Sequence, residues 1–329
     1  MIKPVWPIIR CSGRMLRSLT CQKRIHVSSA STRAKPRWAC RPSTNCFLFF
    51  FERQVERAIE KERMFTCSEE VLVAVSGGKD SLALWDVLVR LGYQASGLHL
   101  ALGIGEYSAL STQKTEQFAR QRSLRLITVP LEGAGASIPT LAAVTRRPPC
   151  AVCGTTKRHY FDKVASDYGF SVLATGHNLD DEAARLLGNV LHWQVNHLAK
   201  QSPVLPSTHE RFVRKVKPLF RISEYETAVY AFLRGIDYIV DECPNSGGAT
   251  QLVYKEMLNR VESVSPGTKL TFVQEFLRAG RPLFAQAEDR PSGTCVRCGM
   301  PAYGEVCSFC RLLERAQRKR GPQRAESGT

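Results

Sequence analysis

The sequence contains no long hydrophobic run. The longest apolar stretch near its start, Cys46–Phe51, is far too short for a bilayer span, which needs about 20 apolar residues. A disordered chain is also excluded, because 43% of the residues are hydrophobic and only 23% are charged. No internal repeat is visible. We therefore expect roughly two globular domains and no membrane association.

Acidic residues are absent from residues 1–51, which carry ten Lys or Arg. This composition is typical of a mitochondrial transit peptide, although two Trp and four Cys are unusual in one. A degenerate N-terminal extension is the alternative. Residues 311–329 carry six basic and two acidic side chains, so the formal net charge of +16 is concentrated at the two ends. The overall charge is therefore weak evidence for what the central region binds.

Between these ends, short β-branched runs alternate with helical patterns. Strands are predicted at 71–75, 95–100, 124–130 and 171–175, and helices at 52–63, 79–91, 108–121, 151–168 and 181–191. Residues 223–279 are predicted to be helical, with breaks at Gly235 and at residues 242–245. Alternation of this kind predicts an α/β fold with a parallel sheet covered on both faces.

The most informative segment follows the first predicted strand and reads Ser76-Gly77-Gly78-Lys79-Asp80-Ser81. Two glycines let the backbone approach a phosphate, and the following helix N-terminus supplies N–H donors and a partial positive charge. Lys79 adds a point charge. The spacing differs from the G-x-x-x-x-G-K-[ST] loop of enzymes that transfer the terminal phosphate. It resembles the PP-loop of ATP pyrophosphatases, which cleave ATP between the α and β phosphates; a Gly-Gly turn capped by Ser81 is the structural alternative.

Two further segments are expected beside this loop, because ligands of open α/β sheets gather at the carboxyl ends of the strands. Gly176-His177-Asn178-Leu179-Asp180-Asp181-Glu182 follows the fourth predicted strand, and its paired acids could hold Mg²⁺ or orient a base. An ordinary capped helix start is the alternative. His99 ends the second predicted strand, where it either contacts the nucleotide or is structural.

Cysteine spacing points to metal thiolates rather than to a disulfide framework, and hence to a reducing compartment. Cys150 and Cys153 form a C-x-x-C pair, with Lys157 one turn further along. A pair supplies only two ligands, and Cys243 in Glu-Cys-Pro-Asn is the candidate third. Three thiolates would leave one position of a 4Fe–4S cluster open for an exogenous sulfur. Alternatively, the pair is a redox dithiol that carries a persulfide.

Four cysteines near the end form a second pattern, Cys295, Cys298, Cys307 and Cys310. Two C-x-x-C pairs separated by eight residues match a closed, tetrahedral structural Zn²⁺ site. A module of this size cannot form a core alone, so zinc would supply its folding free energy. The basic segment that follows is either a solvated tail or a contact for an RNA backbone.

Taken in order, these motifs resemble the TtcA/TtuA-type tRNA thiolation enzymes, from about Glu52 to Cys310. The terminal cysteine module and the segment 102–107 are most similar to the tRNA-5-methyluridine 2-sulfurtransferases. The resemblance implies a Rossmann-like PP-loop catalytic domain at 52–285, after an extension at 1–51. A zinc ribbon at 291–310 and a basic tail at 311–329 would follow.

The resemblance also implies the chemistry. ATP and Mg²⁺ would be used to adenylate the C2 carbonyl of a uridine in tRNA, and sulfur would then replace the oxygen. Lys79, Asp80, Lys157 and Asp181 are the implied catalytic residues, and Ala74, His99 and Gly176 would frame the nucleotide with the PP-loop. A 4Fe–4S cluster is implied on Cys150, Cys153 and Cys243, and zinc on the terminal four cysteines.

The implied partners are tRNA and a ubiquitin-like sulfur-carrier protein, and a homodimer is compatible with the pattern. The implied location is cytoplasmic, or the mitochondrial matrix if residues 1–51 are a transit peptide. One departure concerns the N-terminus, where the family usually has another zinc finger. Here Cys40, Ser43 and Cys46 stand in its place, so no N-terminal zinc site is predicted.

Three alternative functions remain open from the sequence. The chain could thiolate cytidine or a wobble uridine of tRNA with the same superfamily chemistry. It could also be a PP-loop ligase or amidotransferase that activates a carbonyl for nitrogen, which would not need the three central cysteines. Finally, it could be a non-catalytic zinc-ribbon RNA-binding protein, although intact Lys79, Asp80 and Asp181 argue against this.

Overall fold

The computed structural model describes residues 43–132, 137–247, 250–284 and 293–320. The predictions made for residues 1–42 and 321–329, including the transit peptide, lie outside these described residues. Within them, no helix combines the length and apolar character needed to cross a membrane.

In the described part of the chain, eight strands form two sheets. They are β1 (Val71–Val75), β2 (Ala95–Ala101), β3 (Leu126–Pro130), β4 (Val172–Thr175), β5 (Val204–Leu205), β6 (Arg214–Val216), β7 (Gly293–Thr294) and β8 (Pro301–Ala302). The main sheet has the order β3-β2-β1-β4-β6-β5 and is parallel except for the edge strand β5. The predicted parallel sheet is confirmed, although the sequence did not indicate β5 and β6.

The described residues also form eleven α-helices. They are α1 (Thr44–Lys61), α2 (Lys79–Arg90), α3 (Gly105–Arg122), α4 (Ile138–Thr145), α5 (Pro149–Asp167), α6 (Leu179–Leu191), α7 (Val195–Lys200), α8 (Glu224–Leu233), α9 (Thr250–Val264), α10 (Thr268–Glu275) and α11 (Ser308–Arg320). A π-helical turn (Phe276–Gly280) and a 3₁₀ turn (Arg281–Phe284) follow α10.

Strand β1 is buried on both faces, as expected for a central parallel strand. Val71, Val73 and Val75 pack with α1, α2 and α8 in one core, whereas Leu72 packs with α5 in another. The chain builds outward from β1 first through β2 and β3 and then through β4, so the sheet has its topological switch point between β1 and β4. The PP-loop and the segment 176–182 begin at this point, where open α/β sheets bind ligands.

Helix α1 begins earlier than predicted, at Thr44 instead of residue 52. The Ser43 side chain caps it by accepting a hydrogen bond from the Cys46 N–H. Phe51 is buried and stacks on Tyr230 with ring centroids 4.0 Å apart. Residues 44–51 therefore belong to the folded domain, because their aromatic side chains complete its core.

The terminal cysteine module shares its core with the catalytic domain. Phe309 and Leu312 are buried with Leu141 and Val152, on α4 and α5. Phe309 also stacks on His159 with ring centroids 4.2 Å apart. The module is thus packed against α5, the helix that carries Cys150 and Cys153.

Candidate active site

The PP-loop folds back on itself between β1 and α2. Ser81 Oγ donates to the Gly78 carbonyl at 2.9 Å and accepts from the Ser76 N–H at 3.1 Å. Gly77 has φ +75°, and a Cβ there would lie 2.7 Å from the Ser111 carbonyl oxygen. Both the backbone conformation and the space therefore require glycine at residue 77.

Gly176 brings the end of β4 against this loop. A Cβ at Gly176 would lie 2.9 Å from the Asp80 carbonyl carbon and 2.9 Å from the Ser81 nitrogen. The sequence analysis attributed this glycine to close approach of a nucleotide. In the structure, the atoms nearest to it belong to the backbone of the PP-loop.

A cavity of about 360 Å³ opens beside the PP-loop at the switch point. Its wall includes most of the predicted nucleotide and sulfur residues, namely Ala74, Ser76, Asp80, Ser81, His99, Cys153, Lys157, Gly176 and Cys243. A cavity of this volume is in the range of small-molecule sites. Segments that are up to 169 positions apart in sequence thus line one space.

Sulfur and nitrogen groups meet at one end of this cavity. Lys157 lies one turn after Cys153 on α5 and hydrogen-bonds its thiol, while Cys150 and Cys243 lie near the same thiol. Cys150 Sγ also donates to the Asn245 carbonyl at 3.3 Å, which joins α5 to the Cys243 loop. Burial raises the pKa of Cys153, and only Lys157 opposes that change.

Lys79 and Asp181 do not line the cavity. They belong to a chain of charges in which Lys79 Nζ lies 2.6 Å from Glu224 Oε1 and Lys255 Nζ lies 3.0 Å from Glu224 Oε2. Lys255 Nζ also lies 2.7 Å from Asp181 Oδ1. One carboxylate, that of Glu224, therefore holds the PP-loop lysine and a lysine from α9.

These contacts decide the protonation of Glu224. Burial alone would raise its pKa, but hydrogen bonds from Lys79 and Lys255 lower the pKa to about 2. The pKa of Lys79 rises in turn, since Asp80 and Glu224 outweigh the effect of burial on it. Glu224 and Lys79 are therefore charged at neutral pH, as is Lys255, whose pKa is raised because Asp181 and Glu224 outweigh the effect of burial.

Asp80 is the acid that faces the nucleotide space. Its carboxylate accepts from Asn178 Nδ2 and from Lys79 Nζ, each at 3.1 Å. Burial and the nearby Asp181 raise the pKa of Asp80, while Lys79 opposes them. Two neighbouring carboxylates beside a phosphate-binding loop are donors that fit Mg²⁺, which typically takes one or two carboxylates plus phosphate oxygens.

Asp180 and His99 are held by other groups. Asp180 is buried, pairs with Lys269 at 2.5 Å and accepts from the Glu224 N–H at 2.7 Å, so it supports α8. His99 is also buried, with Nδ1 3.0 Å from the Val75 carbonyl and Nε2 2.9 Å from Thr112 Oγ1. Its ring lines the cavity, but protein groups engage both nitrogens.

The four terminal cysteines converge on one point. Their sulfur atoms all lie within 4.8 Å of one another, and Cys298 Sγ is 3.8 Å from Cys307 Sγ. The edge of a tetrahedron with Zn–S bonds of 2.3 Å is about 3.8 Å. Cys295 also accepts from the Cys307 N–H at 3.3 Å. Among the described residues, this is the one group of three or more His, Cys, Asp or Glu side chains whose possible ligand atoms all lie within 4.8 Å of one another.

Cys150, Cys153 and Cys243 are near one another, but their sulfur atoms do not all lie within 4.8 Å. That spacing is too wide for a single metal ion and leaves room for a cluster of several atoms. Two of these thiols line the cavity beside Lys157 and the third, on Cys150, lies next to them, and a set of three thiols fits a cluster with one open position.

Sequence reasoning missed Glu224 and Lys255. Ser223-Glu224-Tyr225-Glu226 has the pattern of a capping box, which the structure contains, and nothing local marks Glu224 as the partner of Lys79. Lys255 is one of several charged residues on α9. The sequence analysis assigned no separate role to Tyr107, which belongs to the segment 102–107. In the structure Tyr107 lines the cavity, close to Cys153 and Cys243.

Comparison with known proteins gives a consistent result. The family described as PP-loop domain matches residues 49–249. A tRNA-5-methyluridine(54) 2-sulfurtransferase of Thermus thermophilus is 51% identical, over 83% of this chain and 85% of that protein. One of Pyrococcus horikoshii is 44% identical, over 81% of this chain and 85% of that protein.

A solved structure has the same architecture. The U34-tRNA thiolase NcsA from Methanococcus maripaludis, with its [4Fe-4S] cluster, superposes with a TM-score of 0.70 at 25% identity. The match covers 82% of this chain and 88% of that chain.

Proposed function

The chain belongs to the PP-loop tRNA 2-sulfurtransferases, and we propose that it uses ATP to replace the C2 oxygen of a 5-methyluridine in tRNA with sulfur. One observation carries this proposal: the PP-loop, Lys157 and two of the three central cysteines line the same cavity. A ligase that activates a carbonyl for nitrogen has no use for thiols at that position. The identities of 51% and 44% favour 5-methyluridine over other tRNA positions.

The reaction needs activation first, because a carbonyl oxygen is a poor leaving group. The C2 oxygen would attack the α-phosphate of ATP and release pyrophosphate. A sulfur nucleophile would then displace AMP at C2, so that the oxygen departs with AMP. Developing charge on pyrophosphate would be stabilised by the loop amides of residues 76–81 and by Lys79.

Further residues have roles that follow from their positions. Asp80 and Asp181 would hold Mg²⁺ on the phosphates, and Lys157 would neutralise the phosphate of the adenylate. The main chain at Ala74 and Gly176, together with the His99 ring, would form the wall of the nucleotide site.

Cys150, Cys153 and Cys243 would hold a 4Fe–4S cluster, and Cys295, Cys298, Cys307 and Cys310 a zinc ion. When bound, the cluster would supply an open iron position for sulfur. Burial raises the pKa of Cys153, and Lys157, which opposes that rise, would favour the thiolate form that binds the cluster. We further propose a ubiquitin-like carrier protein as the sulfur source, a cytoplasmic location and a homodimer.

The test is anaerobic incubation of the purified protein with ATP, Mg²⁺, sodium sulfide and tRNA that contains 5-methyluridine. We expect 5-methyl-2-thiouridine in the nucleoside digest, with AMP and pyrophosphate formed in equal amounts. Wobble 2-thiouridine or 2-thiocytidine as the product would move the chain to a sister activity. Thiolation without pyrophosphate release would overturn the proposed mechanism.

A further inference from the structure

A second, larger cavity of about 1080 Å³ lies on the other side of α5. Helix α5, the start of α11, the hairpin strand β8, the β5–β6 region and the 3₁₀ turn at 281–284 form its walls. The proposed reaction does not use this cavity. It is bounded on one side by the cysteine module and on the other by the catalytic domain.

The charge of this cavity is almost entirely of one sign. Six of its cationic side chains are Arg147, Arg158, Lys215, Arg281, Arg311 and Arg315. Among the described residues of the wall, Asp162 is the one carboxylate, and it is already paired with Lys215 at 2.8 Å. The described part of the wall therefore carries a net positive charge.

Three of the arginines are exposed and available. Arg147, between α4 and α5, and Arg315, on α11, make no ion pair with any described carboxylate. The guanidinium of Arg311 contacts only the Ser308 hydroxyl, at 3.4 Å. Structural arginines are usually paired or stacked, so unpaired arginines at the mouth of a concave surface indicate an anionic ligand.

The cavity also presents aromatic groups. Phe212 is half-buried in its wall and Tyr303, with 64% of its surface exposed, lies at the rim, whereas Phe309 is buried and stacks on His159. Arginines interleaved with aromatic rings are the features that bind the phosphates and exposed bases of RNA. A small anion would need neither the volume nor the rings.

The position relative to the active site identifies the RNA. Lys157 on α5 faces the nucleotide cavity, and the next two residues, Arg158 and His159, face the basic cavity. The two spaces are separated by this one helix, whose diameter with side chains is about 10 Å. An RNA backbone in the basic cavity would therefore lie next to the reaction centre.

We propose that this cavity between α5 and the cysteine module binds the phosphate backbone of the substrate tRNA. The inference rests on the proposed function, since it takes tRNA to be the substrate. It adds the surface, the arginines that make the contact, and a role for the terminal module as one wall of the RNA site.

The test is tRNA binding by fluorescence anisotropy between 50 and 200 mM salt. The variant is Arg147→Gln, Arg311→Gln and Arg315→Gln combined. The slope of log K against log [salt] is negative, and each lost phosphate contact reduces its magnitude by about one. We therefore expect the magnitude of the slope to be smaller by about 2 to 3 in the variant. Affinity at low salt should fall about 10- to 100-fold. ATP binding, which uses the other cavity, should be unchanged and checks that the variant is folded.

The matched control replaces Arg57, Lys61 and Arg63 by Gln, which removes three exposed cations from outside the cavity. It should keep the wild-type slope. If the cavity variant also keeps that slope, the inference is overturned. An unchanged slope is the result expected if the cavity binds an acidic protein instead of tRNA. If wild-type protein fails to bind tRNA at any salt concentration, the proposed function is overturned as well.

Discussion

Lys79 Nζ lies 2.6 Å from Glu224 Oε1, although the two residues are 145 positions apart. Glu224 lies on the first turn of α8, and its second oxygen holds Lys255 at 3.0 Å. This carboxylate therefore fixes the position of the PP-loop lysine and of the lysine that pairs with Asp181. Without it, Lys79 would keep only Asp80 and Lys255 only Asp181 as a partner, and no shared carboxylate would hold the two lysines together.

Lys79→Ala should reduce pyrophosphate release by about 10²–10³, the usual loss for one charge-assisted contact in a preorganised site. Glu224→Gln should act in the same direction but more weakly, by about tenfold, since it misplaces Lys79 without removing it. Steady-state kinetics should show the loss in kcat. Glu256→Gln, on the exposed side of α9, is the control, and equal rates for Glu224→Gln and wild type would exclude the positioning role.

Gly176→Ala should weaken ATP binding by about tenfold or more. A methyl group at residue 176 would lie 2.9 Å from the backbone at Asp80 and Ser81, and backbone atoms cannot move aside as a flexible side chain can. Isothermal titration with a non-hydrolysable ATP analogue measures the effect. Gly247→Ala is the control, because its Cβ would meet nothing within 4 Å. Wild-type affinity for Gly176→Ala would show that the loop is not held by this contact.

Replacing Cys150, Cys153 or Cys243 with Ser should stop thiolation while ATP binding persists, because the nucleotide-binding loop lies on other segments. Anaerobically purified wild-type protein should be brown and each variant pale, whereas Cys67→Ser should keep the colour. Full thiolation by colourless, iron-free protein would favour a persulfide on the Cys150–Cys153 pair instead.

Cys298→Ser should release the terminal metal and loosen α4 and α5. Buried module residues such as Phe309 pack on α5, so the effect should extend beyond residues 293–310. Metal analysis and hydrogen exchange of α4 and α5 are the measurements. Val296→Ser changes an exposed residue of the same turn, 75% accessible, and should alter neither. Retention of a full equivalent of metal by Cys298→Ser would contradict the assignment.

His159 should make the protein less stable in mild acid. Burial, and then Lys163, lower its pKa to about 4, while Asp167 opposes them only in part. Because the unfolded pKa is about 6.5, the neutral ring stabilises the fold above that pH, and this contribution is lost as the pH falls towards 4. The loss between pH 7 and 4.5 is roughly 2 kcal/mol. His177, whose pKa burial also lowers to about 4, adds its own loss, so urea unfolding of His159→Gln should show an acid-induced loss smaller by roughly 2 kcal/mol than that of wild type or the control His197→Gln.

The local sequence determined the elements and the chemistry-bearing motifs. Strand β1 was predicted at its observed bounds, and α2, α5 and α6 to within two residues, since their apolar periods and capping residues act over short distances. The start of α1 was predicted eight residues late, because burial of Phe51 against Tyr230 depends on a residue in α8. The short strands β5 and β6 are set by pairing at the sheet edge, which the sequence does not display.

Only the tertiary structure decided which charges and thiols meet. The spacing of the terminal cysteines already indicated one site, because all four lie within sixteen residues and their turn is local. Three sets of contacts join segments that are distant in sequence, and no sequence periodicity predicts them. They are the grouping of the central cysteines, the Lys79–Glu224 pair and the Lys255–Asp181 pair. They form because parallel strands end at the same edge, so that loops distant in sequence share one space. The basic cavity has the same origin, since its arginines come together only when α11 packs on α5.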